Sequence, residues 1–190
     1  MKEVLKIFSI DIAITEGLQR IQIPVLNQIM IFFSTIGNLG MVWIVLALIL
    51  VMRRKTRNYG IILLLALLIT AILGEGILKN IIKRNRPFTA LHDLKLLVPP
   101  PGSYSFPSGH TASSFAAFGV FYFLNLKYKW LVFFTAFMIA FSRIYLGVHY
   151  FSDIAAGVVL GMGTAYIICS YYKKNSDKIN SNKIIKKLLN

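Results

Sequence analysis

Three groups of polar residues carry side chains suited to phosphate chemistry. The first group contains Lys79 and Arg86, and Pro87 follows it directly. If the preceding helix continues outward, positions 79, 83 and 86 share one face, so three cations point the same way. Such a face can neutralise phosphoryl oxygens, although cations at a helix end also commonly snorkel to the membrane interface.

The second group, Ser108, Gly109 and His110, begins an apolar stretch. Ser108 is a suitable helix N-cap, and Gly109 lets an anion approach backbone N–H groups at the positive end of the helix dipole. This pattern predicts a phosphate cradle, although Pro-Ser-Gly by itself also occurs as an ordinary turn.

The third group contains Arg143, His149 and Asp153. Arg143 ends an apolar stretch, where a buried cation costs about 2.5 to 3.5 kcal/mol, so we expect an anionic partner or a polar cavity. His149 and Asp153 are four residues apart and share a helix face. A carboxylate there can fix the histidine tautomer and leave the other ring nitrogen free to attack, although the same pair could merely join two helices.

Together the three groups supply what cleavage of a phosphate ester needs. His149 would attack phosphorus and His110 would protonate the departing oxygen, while Ser108 and the Gly109 N–H orient the phosphoryl group. Three cations would neutralise that group: Lys79, Arg86 and Arg143. The two histidines must start in opposite protonation states, which predicts a bell-shaped pH profile. Glu75 precedes Lys79 by four residues, so we expect the two to pair.

Long apolar runs must position these groups. Five runs approach the length of about 20 residues that crosses a bilayer, at approximately 26–52, 59–78, 108–126, 130–146 and 151–172. Charged residues interrupt 1–22 too often for a span, which predicts an amphipathic interfacial helix. The expected fold is an all-α integral membrane protein, a bundle of five to six transmembrane helices with this N-terminal interfacial helix.

Composition agrees with a single domain in lipid, covering 1–190. Of the 190 residues 56% are hydrophobic and 15% are charged, and the net charge is +14. The cations lie between the apolar runs, as membrane insertion requires, so we expect no nucleic-acid partner. Three histidines and one cysteine at no ligand spacing predict no structural metal site.

Lysine and arginine follow the first, third and fifth runs, and such residues accumulate on the cytoplasmic side. This predicts a multi-pass protein of the cell membrane with a basic cytoplasmic tail at 173–190. The three polar groups then share the extracytoplasmic face.

Lys79 to Arg86-Pro87, Pro107 to His110, and Ser142-Arg143 to His149 and Asp153 resemble the three signature motifs of the type 2 phosphatidic acid phosphatase superfamily. The resemblance implies a helical membrane phosphatase that forms a phosphohistidine on His149 without a metal or cofactor. His110 would be the acid and Asp153 the partner of His149. The implied phosphate ligands are Lys79, Arg86, Ser108, Gly109 and Arg143.

The short length and outward site resemble bacterial undecaprenyl pyrophosphate phosphatases, which makes that lipid the leading expected substrate. Phosphatidylglycerophosphate and phosphatidic acid are alternatives, because the motifs bind only the phosphoryl group that these lipids share. Two other classes stay open, a lipid phosphotransferase and a non-enzymatic membrane transporter. The sequence predicts membrane lipids as surroundings and leaves the oligomeric state undetermined.

Overall fold

The computed structural model describes residues 2–91 and 94–181, and every regular element in these ranges is helical. The α-helices are α1 Lys2–Arg20, α2 Pro24–Ile36, α3 Met41–Met52, α4 Arg57–Ala71, α5 Lys79–Ile82, α6 Pro87–Ala90, α7 Gly109–Phe123, α8 Lys129–Tyr145 and α9 Phe151–Ser181. A π-helix, Ile72–Leu78, joins α4 to α5. The predicted all-α fold is confirmed, while the last nine residues of the predicted basic tail, 182–190, lie outside the described residues.

Two helical stretches are long and apolar enough to cross a membrane, Arg57–Ala90 and Phe151–Ser176, and a bent pair makes a third if it forms one span. By comparison, α7 has 15 residues and α8 has 17. At 1.5 Å per residue they reach about 23 and 26 Å, against a hydrocarbon core of about 30 Å. Length and composition thus support two or three spans among the described helices, and the count of five to six stays a prediction.

The predicted first span, 26–52, is not one straight helix. Its two halves, Pro24–Ile36 and Asn38–Met52, are bent by 47°. Leu39 and Gly40 at the break have φ angles of 52° and 69°, in the left-handed region where a right-handed helix cannot continue. Gly37, Asn38 and Gly40 interrupt the apolar run at this point, and clusters of glycine and asparagine are typical of turns, so the sequence does carry a local signal of the break.

The helix pair α7 and α9 forms the centre of the fold. Gly161 brings α9 so close to α7 that a Cβ there would lie 2.7 Å from the backbone nitrogen of Ala116. Gly157 makes a similar approach, since its Cβ would lie 2.9 Å from the backbone oxygen of Ser108. Small residues thus let the two backbones meet directly, as in other membrane helix pairs.

The N-terminal helix α1 packs against α8 and α9. Its inward face includes Asp11 and Thr15, both essentially inaccessible to solvent, while Ile7 and Ile10 are about half exposed. The outward faces of the other helices are also apolar, and Val45, Leu68 and Ile167 are each more than half exposed. Apolar surface on this scale suits a bilayer rather than water. Whether α1 lies in the interface stays a prediction.

Candidate active site

A cavity of about 660 Å³ opens at the N-terminal end of α7, where α5 and the turn between α8 and α9 also meet. Six of the eight predicted site residues line it: Lys79, Arg86, Gly109, His110, Arg143 and His149. The other two, Ser108 and Asp153, lie fully buried behind the lining. The structure therefore places all eight around one cavity.

His149 lies in the turn before α9 with its two ring nitrogens in different surroundings. Nε2 is 3.2 Å from Nη1 of Arg86, and Nδ1 is 3.5 Å from Oδ2 of Asp153. Because a guanidinium can only donate, Nε2 must accept, so the imidazole proton resides on Nδ1 and points toward the carboxylate. Burial lowers the pKa of His149 to about 3, which keeps the ring neutral at neutral pH. A neutral imidazole with an unprotonated Nε2 is in the form that a nucleophile requires.

Asp153 is held by several donors. Its Oδ2 accepts hydrogen bonds from Ser105 Oγ at 2.5 Å and from the backbone N–H of Tyr150 at 2.9 Å. Its Oδ1 accepts from Arg84 Nη1 at 2.6 Å. Ser105, which is completely buried, also lies 3.4 Å from Nδ1 of His149. These contacts fix the carboxylate against the imidazole, and they suit stabilisation of an imidazolium.

Arg86 is locked in place by backbone oxygens. It donates to the carbonyls of Ser103 and Val148 at 2.7 Å each and to that of Tyr104 at 3.1 Å. These carbonyls orient the guanidinium without neutralising its charge, so the charge remains available to an anion in the cavity.

Arg143 carries an unpaired donor. The side chain is 5% exposed and donates from Nη1 to Ser34 Oγ on α2. Its Nε has no hydrogen-bond partner among the described residues. A buried donor without a partner costs roughly 1 to 3 kcal/mol, and an anion bound in the cavity would relieve that cost.

The predicted pairing of Glu75 with Lys79 is confirmed, since Lys79 Nζ lies 2.7 Å from both carboxylate oxygens. Glu75 belongs to the π-helix and also contacts Gly109, where a Cβ would collide with Oε1. Single π-helical turns occur frequently at functional sites. The carboxylate therefore lies beside the predicted cradle and holds one of its cations.

The helix that carries Lys79 ends sooner than predicted. It stops at Ile82, and Lys83 has a φ of 48° and is exposed. The expectation that positions 79, 83 and 86 share one face of a continuous helix is therefore wrong. Arg86 reaches the cavity instead from the extended residue that precedes α6.

The N-terminus of α7 has the predicted cap. Ser108 Oγ accepts a hydrogen bond from the backbone N–H of Thr111 at 3.4 Å. His110 lies in the first turn of α7, and its Nε2 is 3.0 Å from Oδ1 of Asn38. Asn38 lies at the break between α2 and α3, so this break brings a polar group to the site.

The family model described as the PAP2 superfamily matches residues 59–177. The chain belongs to the PAP2 superfamily. It is 33% identical to the undecaprenyl-diphosphatase of Sulfolobus acidocaldarius over 147 residues, which cover 77% of this chain and 70% of that protein. The resemblance found in the motifs is thus confirmed.

Two solved structures are similar to this PAP2 protein over most of its length. The transmembrane PAP2-type phosphatidylglycerolphosphate phosphatase of Bacillus subtilis superposes with a TM-score of 0.73 at 30% identity, covering 89% of this chain and 87% of that one. LpxE of Aquifex aeolicus gives a TM-score of 0.75 at 30% identity, covering 85% and 95%.

Four residues that contact the predicted side chains of this PAP2 site were not among the predicted site residues: Ser34, Asn38, Ser105 and Arg84. Ser34 and Asn38 are polar residues within a predicted span, which is a signal that could have drawn attention to them. Ser105 had no such signal, because it lies in a loop among other polar residues. Arg84 stands outside the three groups of predicted site residues, and it pairs with Asp153.

Proposed function

We propose that the protein hydrolyses a membrane lipid phosphate or diphosphate through a phosphohistidine on His149. The observation that carries this proposal is the placement of His149, which lines the cavity with Nε2 beside Arg86 and Nδ1 against Asp153. Arg143 adds a buried N–H that lacks a partner in the described part of the chain.

The reaction follows from these positions. Nε2 of His149 attacks phosphorus, the bond from phosphorus to the leaving oxygen breaks, and protonated His110 gives that oxygen a proton. Water then attacks the phosphohistidine and gives a proton to His110, which releases inorganic phosphate and restores both histidines. Asp153 stabilises the positive charge on His149, and the three cations stabilise the phosphoryl oxygens. No metal or cofactor is assigned a role.

A lipid substrate is supported by the other end of the cavity. Its lining continues along α3 and α4 through Ile44, Leu64 and Leu68, the last of which is 56% exposed. A substrate chain can therefore remain among apolar side chains while its phosphate lies at the cations.

Undecaprenyl pyrophosphate is the leading candidate substrate, supported by the similarity to a protein named undecaprenyl-diphosphatase. Phosphatidylglycerophosphate is the second candidate, supported by the solved phosphatase of that name. The cavity opens at the N-terminal ends of α7 and α9, whereas Arg53 and Lys173 lie toward the opposite ends of α3 and α9. We therefore place the site on the extracytoplasmic face of the cell membrane, within one domain covering 1–190.

Phosphate release by the detergent-solubilised protein tests the function. The panel contains undecaprenyl pyrophosphate, phosphatidylglycerophosphate, phosphatidic acid and a soluble phosphate ester, each with EDTA. Wild type should release phosphate, His149→Ala should not, and His92→Ala, which has no predicted role, serves as the matched control. Full activity of His149→Ala would remove the nucleophile, and loss of activity that a divalent metal restores would refute the metal-free mechanism.

Single cysteines test the orientation. Cys169 is buried, so the background labelling of the native chain should be low. A cysteine replacing Arg53 or Lys174 should react with a membrane-impermeant reagent only after the cells are opened. Labelling on intact cells would invert the proposed topology.

A further inference from the structure

Asp11 joins the N-terminal helix to the first turn of α9. The side chain is 1% exposed. Its Oδ1 accepts a hydrogen bond from the backbone N–H of Ser152 at 2.9 Å, and its Oδ2 accepts one from the Ser152 hydroxyl. A carboxylate on the free N–H groups of a helix start is favourable, because it meets the positive end of the helix dipole.

Arg84 connects Asp11 to the candidate catalytic carboxylate. Its Nη2 lies 2.6 Å from Asp11 Oδ2, and its Nη1 lies 2.6 Å from Asp153 Oδ1. The guanidinium also lies over the ring of Tyr150, with its central carbon 4.1 Å from the ring centroid. One planar cation is thus held from both sides and from one face, which leaves it little freedom to rotate.

Each of the two buried carboxylates contacts a different terminal nitrogen of the Arg84 guanidinium. Arg84 donates from Nη2 to Asp11, so only Nη1 donates to Asp153. The second oxygen of Asp153 is then free to face His149 and Ser105. Without the charge of Asp11, Arg84 can present both nitrogens to Asp153 in the bidentate geometry that the pair prefers, which draws Oδ2 away from the imidazole.

We propose that Asp11 is a positioning residue of the active site, acting through Arg84 to keep Asp153 Oδ2 against His149 Nδ1. The proposal rests on the proposed function, because His149 is the nucleophile there. It makes the N-terminal helix a part of the catalytic apparatus, although Asp11 lies outside residues 59–177 that the family model matches.

Kinetics of Asp11→Asn provide the first test. The variant keeps the shape of the side chain and removes its charge. We expect kcat to fall about 10- to 100-fold while KM changes little, because the phosphate ligands are untouched. Glu16→Gln on the exposed side of the same helix is the matched control and should behave as wild type. Wild-type kcat in Asp11→Asn would overturn the proposal.

The state of His149 provides a test that does not require turnover. The chain has three histidines, so ¹⁵N-histidine spectra can be assigned with His→Ala variants. Wild type should show His149 as the neutral tautomer with the proton on Nδ1, and Asp11→Asn should shift the Nδ1 signal. If wild type released no phosphate, the proposed function would fail, yet this shift would still support the link from Asp11 to His149. An unchanged signal would refute that link.

A purely structural role of Asp11 predicts a different outcome. Activity would then fall only in proportion to the loss of folded protein, with kcat per folded molecule and the His149 signal unchanged. Should Asp11→Asn not fold, Asp11→Ser decides the question, because it also removes the charge and leaves a hydroxyl that can accept a hydrogen bond. A reduced kcat with an unchanged unfolding temperature would support positioning, and a wild-type kcat would overturn it.

Discussion

Replacing Gly161 by alanine tests whether direct contact between α7 and α9 holds the site together. The added Cβ would collide with the backbone oxygen of Ala112 and would also lie 2.7 Å from the backbone nitrogen of Ala116. Carbon atoms normally rest about 3.5 to 4.0 Å from such neighbours, so the helices must separate by roughly 1 Å. The obstructing atoms belong to backbone and cannot rotate aside.

This separation has a cost in both stability and activity. Overpacking typically costs about 1 to 3 kcal/mol, which for a chain of this size lowers the unfolding temperature by about 2 to 12 °C. Because α7 carries His110 and α9 carries Asp153, a displacement near 1 Å should also reduce phosphate release about 100-fold.

Gly163→Ala is the matched control, since nothing lies within 4 Å of a Cβ at that position of the same helix. It should keep wild-type activity and gain up to about 1 kcal/mol from helix propensity. Thermal unfolding and phosphate release in detergent measure both effects. Wild-type behaviour of Gly161→Ala, or equal damage from Gly163→Ala, would refute the reasoning.

Three further predictions concern individual side chains. Ser105→Ala removes a buried donor to Asp153 and should lower kcat about 10- to 100-fold, so an unchanged kcat would exclude a role for that hydroxyl. Glu75→Gln removes a half-exposed negative charge beside the predicted phosphate position and should lower KM by up to about 5-fold, whereas a raised KM would mean that Glu75 mainly holds Lys79 in place. The third prediction is a pH dependence of stability. Burial lowers the pKa of His149 to about 3, so below about pH 6.5 the unfolded chain binds a proton there that the folded protein does not. Stability should therefore fall as pH decreases from 6.5, by up to about 1.4 kcal/mol per pH unit from this group, and unfolding scans of His149→Gln should show a flatter dependence. Equal slopes for both proteins would contradict this assignment.

Local chemistry made part of the site predictable. Ser108 caps α7 because a serine before an apolar run can accept from the helix N–H groups, and Glu75 pairs with Lys79 because they are four residues apart. His149 and Asp153 also meet, but the predicted reason is wrong, because His149 lies in the turn before α9 and not on a helix face shared with Asp153. In each case the two groups lie within a few residues of each other, which limits how far apart they can be.

Contacts between distant parts of the chain were not predictable in this way. Asp11 and Ser152 are 141 residues apart, and Asn38 and His110 are 72 apart. Such pairs depend on how the helices are arranged, and hydrophobic periodicity specifies only which face of each helix is buried. The bend near Leu39 was missed for a different reason, because the length and mean hydropathy of the whole run outweighed the local turn signal of Gly37, Asn38 and Gly40.

Different helices line the two ends of the cavity. The histidines and Asp153 come from α7 and from the start of α9, whereas Ile44, Leu64 and Leu68 come from α3 and α4. Substitutions along α3 and α4 can therefore reshape the room for a lipid chain without moving the reacting groups. We therefore expect selectivity for the lipid tail to be exchangeable between relatives by transplanting those two helices.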